Sequence, residues 1–235
     1  VFLTALAIVD DLGGILVIAL FYSSDLHGPS LLAGAAVLLV LFWLSRRNVQ
    51  SVLLYLIGGG LLWYAFLQGG IHPTIAGVLL GFSIPAGTEE THGASLLRKL
   101  EHRLTPWSAF FIMPVFALSN AGIAIDGGSV GNLLTPVGLG IMTGLFLGKP
   151  LGIFLSAYGL IRLRVVALPA GVRTAHFLGA GMLGGIGFTM SLFIAALAFT
   201  DGQALMTAKT AVVAASVLSG LAGTAMFKWL QRGTP

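Results

Sequence analysis

The stretch Ala5-Leu6-Ala7-Ile8-Val9-Asp10-Asp11-Leu12-Gly13-Gly14-Ile15 decides how this chain is read, because it sets two adjacent carboxylates in a run otherwise apolar from Val1 to Tyr22. An ionised Asp at the centre of a membrane helix costs roughly 2.5–3.5 kcal/mol on translocon-type scales, and this segment has two. A partner charge, water, a bound cation or protonation must offset that cost.

The rest of the chain has the same character. It is 57% hydrophobic and 9% charged, with a mean hydropathy of +0.98. Such values exclude an ordinary soluble globule and predict an all-α polytopic membrane protein, a single transmembrane domain over residues 1–235. An outer-membrane barrel is disfavoured because the apolar runs are continuous instead of alternating. Glycine is abundant at 33 residues, which suits close helix packing in a membrane bundle. With no cysteine, disulfide and thiol chemistry are excluded for this chain. The net charge of +4 is spread over short loops, so it points to membrane topology and no nucleic-acid partner. The chain opens directly in apolar sequence without the basic flank of a signal peptide, as expected of a chain whose N-terminal part is missing.

Eight apolar segments are expected, at approximately 1–22, 31–44, 52–67, 74–84, 107–125, 137–160, 177–199 and 208–229. The fourth is short for a bilayer, since an eleven-residue helix covers only ~17 Å. Basic residues fall after every second segment: Arg46 and Arg47; Arg98, Lys99 and Arg103; Arg162, Arg164 and Arg173; Lys228 and Arg232. The opposite loops hold only Lys209, and Lys149 lies inside segment six. The positive-inside rule then places both ends of the chain in the cytoplasm. Trp43, Trp63, Trp107 and Trp229 fall near segment ends, where amphipathic rings favour the interface.

Counting along the helices gives the carboxylates a partner. Asp10 lies nine rises, ~14 Å, from Val1, and Lys149 lies twelve rises, ~18 Å, into segment six from the opposite face. Both reach the bilayer midplane. Gly148 and Pro150 flank the lysine and loosen its helix. One lysine neutralises one aspartate, and adjacent residues point ~100° apart on a helix. Two readings follow: a packing ion pair with the second Asp facing a wet crevice, or a cation site at one carboxylate with the other paired to Lys149. Intramembrane ionisable residues favour the second. An intramembrane aspartyl protease would need carboxylates converging from separate helices. A retinal protein would need a bulkier wall than Gly148, Pro150, Leu151 and Gly152 provide.

Segment seven holds five glycines between Gly179 and Gly187. Each weakens a helix by roughly 1 kcal/mol relative to Ala. Gly184, Gly185, Gly187 and Thr189 are therefore candidates for a broken helix presenting backbone dipoles to an ion; a glycine face for tight packing is the alternative. In the charged linker over 85–106, Arg98, Lys99, Glu101 and His102 are candidates for a pH-responsive cluster, since His titrates nearest neutrality; the alternative is a solvated helix start. No metal-ligand spacing, phosphate loop or nucleophile–His pair occurs.

Six motifs carry a family resemblance: Ala5–Gly13 in the opening stretch, His72-Pro73-Thr74-Ile75-Ala76-Gly77, Leu100-Glu101-His102 with Pro106-Trp107, Phe116-Ala117-Leu118-Ser119-Asn120-Ala121-Gly122, Gly148-Lys149-Pro150-Leu151-Gly152, and Gly184-Gly185-Ile186-Gly187-Phe188-Thr189-Met190-Ser191. The chain resembles the bacterial NhaA sodium/proton antiporter family over essentially its whole length. That resemblance implies an inverted-repeat transporter fold with a discontinuous helix. It implies electrogenic Na+(Li+)/H+ antiport in the bacterial cell inner membrane for pH and sodium homeostasis, no enzyme activity and no cofactor. Asp11 would be the main Na+ or Li+ ligand with Asp10 beside it, and Lys149 would pair with Asp10 and exchange protons. Glu101 and His102 would belong to a cytoplasmic pH-sensing cluster.

The family has twelve helices, and this chain resembles the fifth to twelfth. The implied partners are the lipid bilayer, small cations and protons, with a homodimer as one possible assembly. The absent N-terminal helices, including a broken fourth helix that supplies a Thr-Asp pair, are needed for a full site. On this reading the chain alone is an incomplete, inactive portion; a transport-inactive membrane fragment or a cation channel are the alternatives. Thr105 stands just before Pro106 where the family often has His, which weakens the implied pH sensing.

Overall fold

The computed structural model describes residues 2–23, 25–86, 95–120, 122, 131, 133–168 and 172–232. Every regular element among them is helical: α1 (Phe2–Phe21), α2 (Gly28–Arg46), α3 (Val52–Gln68), α4 (Thr74–Ser83), α5 (Leu96–Trp107), α6 (Met113–Asn120), α7 (Pro136–Thr143), α8 (Lys149–Arg162), α9 (Thr174–Gly184), α10 (Phe188–Ala198) and α11 (Gly202–Arg232). Wide π-helical turns, Ser108–Ile112 and Gly144–Gly148, join α5 to α6 and α7 to α8. Helices α1, α2 and α11 and the continuous Pro136–Arg162 are each long and apolar enough to cross a membrane. Helices α9 and α10 pass that test together, bent by 48° at their junction. Many large apolar side chains point outward, among them Leu20, Phe21, Leu32 and Leu56. In water that surface would be a liability; lipid tails accept it. The fold is that of a polytopic helical membrane protein.

The helix bounds differ from the sequence expectation in informative places. The helix expected from residue 107 begins at Leu96, where the Ser95 hydroxyl accepts the Arg98 N–H as an N-cap. Arg98, Lys99, Glu101 and His102 thus stand on helix α5, whose leucines Leu96, Leu100 and Leu104 recur at helical spacing. The expected end of that segment, at residue 125, lies outside the described residues, as does Val1.

The chain forms two compact units, residues 1–11 with 117–235 and residues 12–116. In the second unit, α2, α3 and α4 pack with the start of α5 around Leu41, Tyr55, Leu62, Phe66, Ala76 and Leu96. Large side chains fill this core, and glycines admit them: a Cβ at Gly58 would lie 2.6 Å from the Leu41 side chain.

The first unit is built around α11, whose buried face is mostly small: Thr207, Ala208, Ala211, Ala215, Ser216, Ser219 and Gly223, with Val212 and Leu230 the larger members. Small residues let helices approach closely in a bilayer. Helix α9 packs against both α8 and α11. At its nearest approach a Cβ at Gly181 would lie 2.9 Å from the Pro150 carbonyl oxygen. The Phe2 and Phe177 rings meet edge-on at 5.0 Å, joining the start of α1 to α9.

Candidate functional site

Proline shapes the turn that carries the lysine. Pro150 has no N–H for the preceding turn, and its ring would crowd the carbonyl four residues back. The helix widens over Gly144–Gly148, and Lys149 N–H reaches Gly144 O instead. Lys149 follows as the first residue of α8, with Pro150 buried behind it. Its Nζ donates to Asp10 Oδ2 on α1 at 2.6 Å. Residues 139 apart in sequence are thus joined by one charge-assisted hydrogen bond.

The glycine run breaks the helix in front of this pair. Gly185 N–H turns back to Gly181 O at 3.0 Å, closing α9. Ile186 N–H reaches Leu183 O at 3.1 Å, and α10 starts at Phe188 with Ser191 N–H on Gly187 O at 2.8 Å. The junction therefore presents the last carbonyls of α9 and the first amides of α10, partial charges of opposite sign.

Asp10, Asp11, Lys149, Gly184, Gly187 and Thr189 line one cavity of about 260 Å³. Both carboxylates face it, one engaged by Lys149 and one beside it. Among the described residues no three His, Cys, Asp or Glu side chains converge in the manner of a metal centre. Carboxylate and carbonyl oxygens are the hard ligands that a small alkali cation takes up, and Asp11, Asp10 and the α9 carbonyls would supply them.

The structure gathers most of the candidates but separates Gly185. That residue turns away from the cavity, where a Cβ would lie 2.6 Å from Leu145 O and 2.7 Å from Ser219 Oγ. Leu3, Leu6, Ala7, Leu183, Ile186 and Met190 complete the lining and were not anticipated. Apolar wall residues have no sequence signal that sets them apart from lipid-facing ones.

A second cavity, of about 520 Å³, lies on α5 and is lined by Arg98, Lys99, Glu101, His102 and Thr105. Helical spacing brings them to one face. The Thr105 hydroxyl donates to Glu101 O at 2.6 Å, spending its hydrogen bond on its own helix.

Comparison with known proteins places the chain in a family. The family model described as Na+/H+ antiporter 1 matches residues 1–227. Na(+)/H(+) antiporter NhaA 1 of Clostridium beijerinckii is 50% identical over 230 residues, which cover 97% of this chain and 58% of that protein. Na(+)/H(+) antiporter NhaA of Shewanella loihica is 44% identical over 237 residues, 100% of this chain and 59% of the relative. Its counterpart in Aeromonas salmonicida is 48% identical over 202 residues, 86% of this chain and 50% of the relative. The chain thus spans 50–59% of the length of these relatives. With the family model matching nearly end to end, the chain belongs to the Na+/H+ antiporter 1 family, a family of transporters and not of enzymes.

Proposed function

We propose that this chain carries the carboxylate–lysine part of an electrogenic Na+(Li+)/H+ antiport site in the bacterial inner membrane, with its C-terminus cytoplasmic. The observation that carries the reading is the 2.6 Å Lys149–Asp10 pair beside a second carboxylate, Asp11, on one cavity at the α9–α10 junction.

The exchange follows from competition. Without a cation, protonated Lys149 holds Asp10. A sodium or lithium ion at Asp11 displaces the proton held there and also draws on Asp10, which releases the lysine and its proton, so two protons leave for one cation and the exchange moves net charge. When the cation departs, Asp11 and Lys149 are reprotonated and the pair reforms. Cation and proton exclude each other from one set of oxygens, which gives antiport without a cofactor. The α9–α10 break acts as the discontinuous helix of an inverted-repeat transporter, lending carbonyl oxygens and a helix dipole to the ion. Arg98, Lys99, Glu101 and His102 form the cytoplasmic pH-responsive cluster of the same protein. On the family resemblance, a full site needs further N-terminal helices and this portion by itself does not transport; a homodimer is the proposed assembly.

The test uses everted membrane vesicles bearing the protein expressed from its native reading frame. Adding sodium or lithium should dissipate a respiration-driven proton gradient. Asp11→Asn should abolish the response, and wild-type turnover in that variant would overturn the site. Lys149→Ala should shift the pH profile of sodium binding; an unchanged profile would reject the pairing with Asp10. Sodium flux indifferent to the proton gradient would mark a cation channel instead.

A further inference from the structure

The five hydroxyls of α11 divide into two groups. Thr207, Thr210 and Thr224 donate to the carbonyl four residues back, at 3.0, 2.9 and 2.8 Å. That bond is the ordinary refuge of a hydroxyl inside a helix. Ser216 and Ser219 do not use it, and their buried Oγ atoms meet no hydrogen-bond partner among the described residues. Ser219 is fully buried. A buried hydroxyl left unpaired is costly, so its placement calls for a partner.

An acceptor stands nearby. The Leu145 carbonyl has no donor left within its own helix: Lys149 N–H goes to Gly144 O, and residue 150, which would serve Leu145 across the wide turn, is proline. Leu145 O and Ser219 Oγ converge on the same side of Gly185, 2.6 and 2.7 Å from where its Cβ would be. Any side chain there would strike both oxygens, so only glycine lets them approach. Three elements therefore meet at one point: the turn before Lys149, the α9–α10 junction and α11.

We propose that Ser219 is a positioning residue for Lys149. Its hydroxyl serves the Leu145 carbonyl through one shared water and clamps the lysine-bearing turn against Gly185. The clamp fixes how far Lys149 projects toward Asp10 and ties that height to the helix junction. It lies behind the cavity and touches neither cation nor proton. The link to transport rests on the proposed function; the clamp itself does not.

A double-mutant cycle in the purified protein tests it. Ser219→Ala should lower the melting temperature by several degrees and shift the pH dependence of sodium-induced thermal stabilisation, and Ser219→Thr should restore both. Pro150→Ala returns an N–H to this turn, so adding Ser219→Ala to it should cost nothing further. A melting temperature unchanged or raised by Ser219→Ala would overturn the clamp, because that is what removing a truly idle buried hydroxyl does. Additive effects of the two substitutions would overturn it equally. Should Pro150→Ala not fold, the sign of Ser219→Ala alone decides. If sodium fails to stabilise even the parent protein, the cation reading falls while the sodium-free cycle still judges the clamp.

Discussion

Ser108-Ala109-Phe110-Phe111-Ile112-Met113-Pro114 and Gly144-Leu145-Phe146-Leu147-Gly148-Lys149-Pro150 share one local design. In each, five residues form a wide turn, a sixth donates its N–H to the first residue's carbonyl, and a proline follows. In each, the proline strips a donor from the second residue of the turn, Ala109 or Leu145. Their surroundings differ. Phe110, Phe111 and Ile112 are exposed, and so is Met113, which ends the first turn. The second turn ends in Lys149 on Asp10, with Pro150 buried and Gly181, Gly185 and Ser219 closing around it. Proline chemistry opens a helix in both places, and only close packing by small residues makes one opening part of a site.

The largest effect expected on this comparison is at Gly181, where an added methyl would lie 2.9 Å from Pro150 O and 3.0 Å from its Cα. Main chain cannot step aside as a side chain can, so Gly181→Ala should cost ~1–3 kcal/mol and lower the melting temperature in detergent by several degrees. Gly152→Ala, with nothing within 4 Å, is the control; it should be neutral or stabilise by up to ~1 kcal/mol. Equal losses in both variants would deny that the second turn is held by close backbone packing.

A middle-sized effect separates the two prolines. Pro114→Ala should restore a helical hydrogen bond at little cost, leaving sodium-dependent stabilisation intact. Pro150→Ala should make the same local gain yet shift the pH dependence of sodium binding, because it moves Lys149. Identical behaviour of the two would reduce the second turn to a copy of the first.

The smallest effect lies at His72, in the unit that holds the first turn. Burial holds its imidazole below the ordinary value of 6.5, and its Nδ1 sits 3.0 Å from Thr74 Oγ1. A lowered folded-state value means that the unfolded chain takes up a proton first. Stability present at neutral pH is therefore lost as pH falls through about 6.5 and below. His72→Asn should flatten that slope between pH 7 and 5 by a degree or two of melting temperature. A slope unchanged by the substitution would assign the loss to other groups.

Much of this was legible beforehand for a physical reason: charge is scarce in an apolar chain, so each charged residue carries weight. Asp10 and Lys149 could be matched by counting rises from opposite membrane faces, and the glycines from Gly179 to Gly187 marked a weak helix. The N-cap at Ser95 had a signal too, the leucine spacing through Leu96, Leu100 and Leu104, masked by the charges between them. The separate tasks of neighbouring glycines were not legible. Gly184 and Gly187 line the cavity while Gly185 backs onto Leu145 and Ser219, a distinction that depends on where the helix axis bends.

The sequence by itself determined an all-helical membrane chain, the carboxylates that need a partner, the lysine able to supply it and the glycines that break a helix. Those properties are fixed by composition, by helical periodicity and by the high cost of charge in hydrocarbon. The tertiary structure supplied the distance: Lys149 meets Asp10 at 2.6 Å, the pairing that the family resemblance implies, with Asp11 beside it on the cavity. It alone set Ser219 against a carbonyl that Pro150 had orphaned. Both outcomes depend on distances between helices remote in sequence, and those distances are set by the packing of small residues on α11 and α9, to which no local pattern in the chain refers.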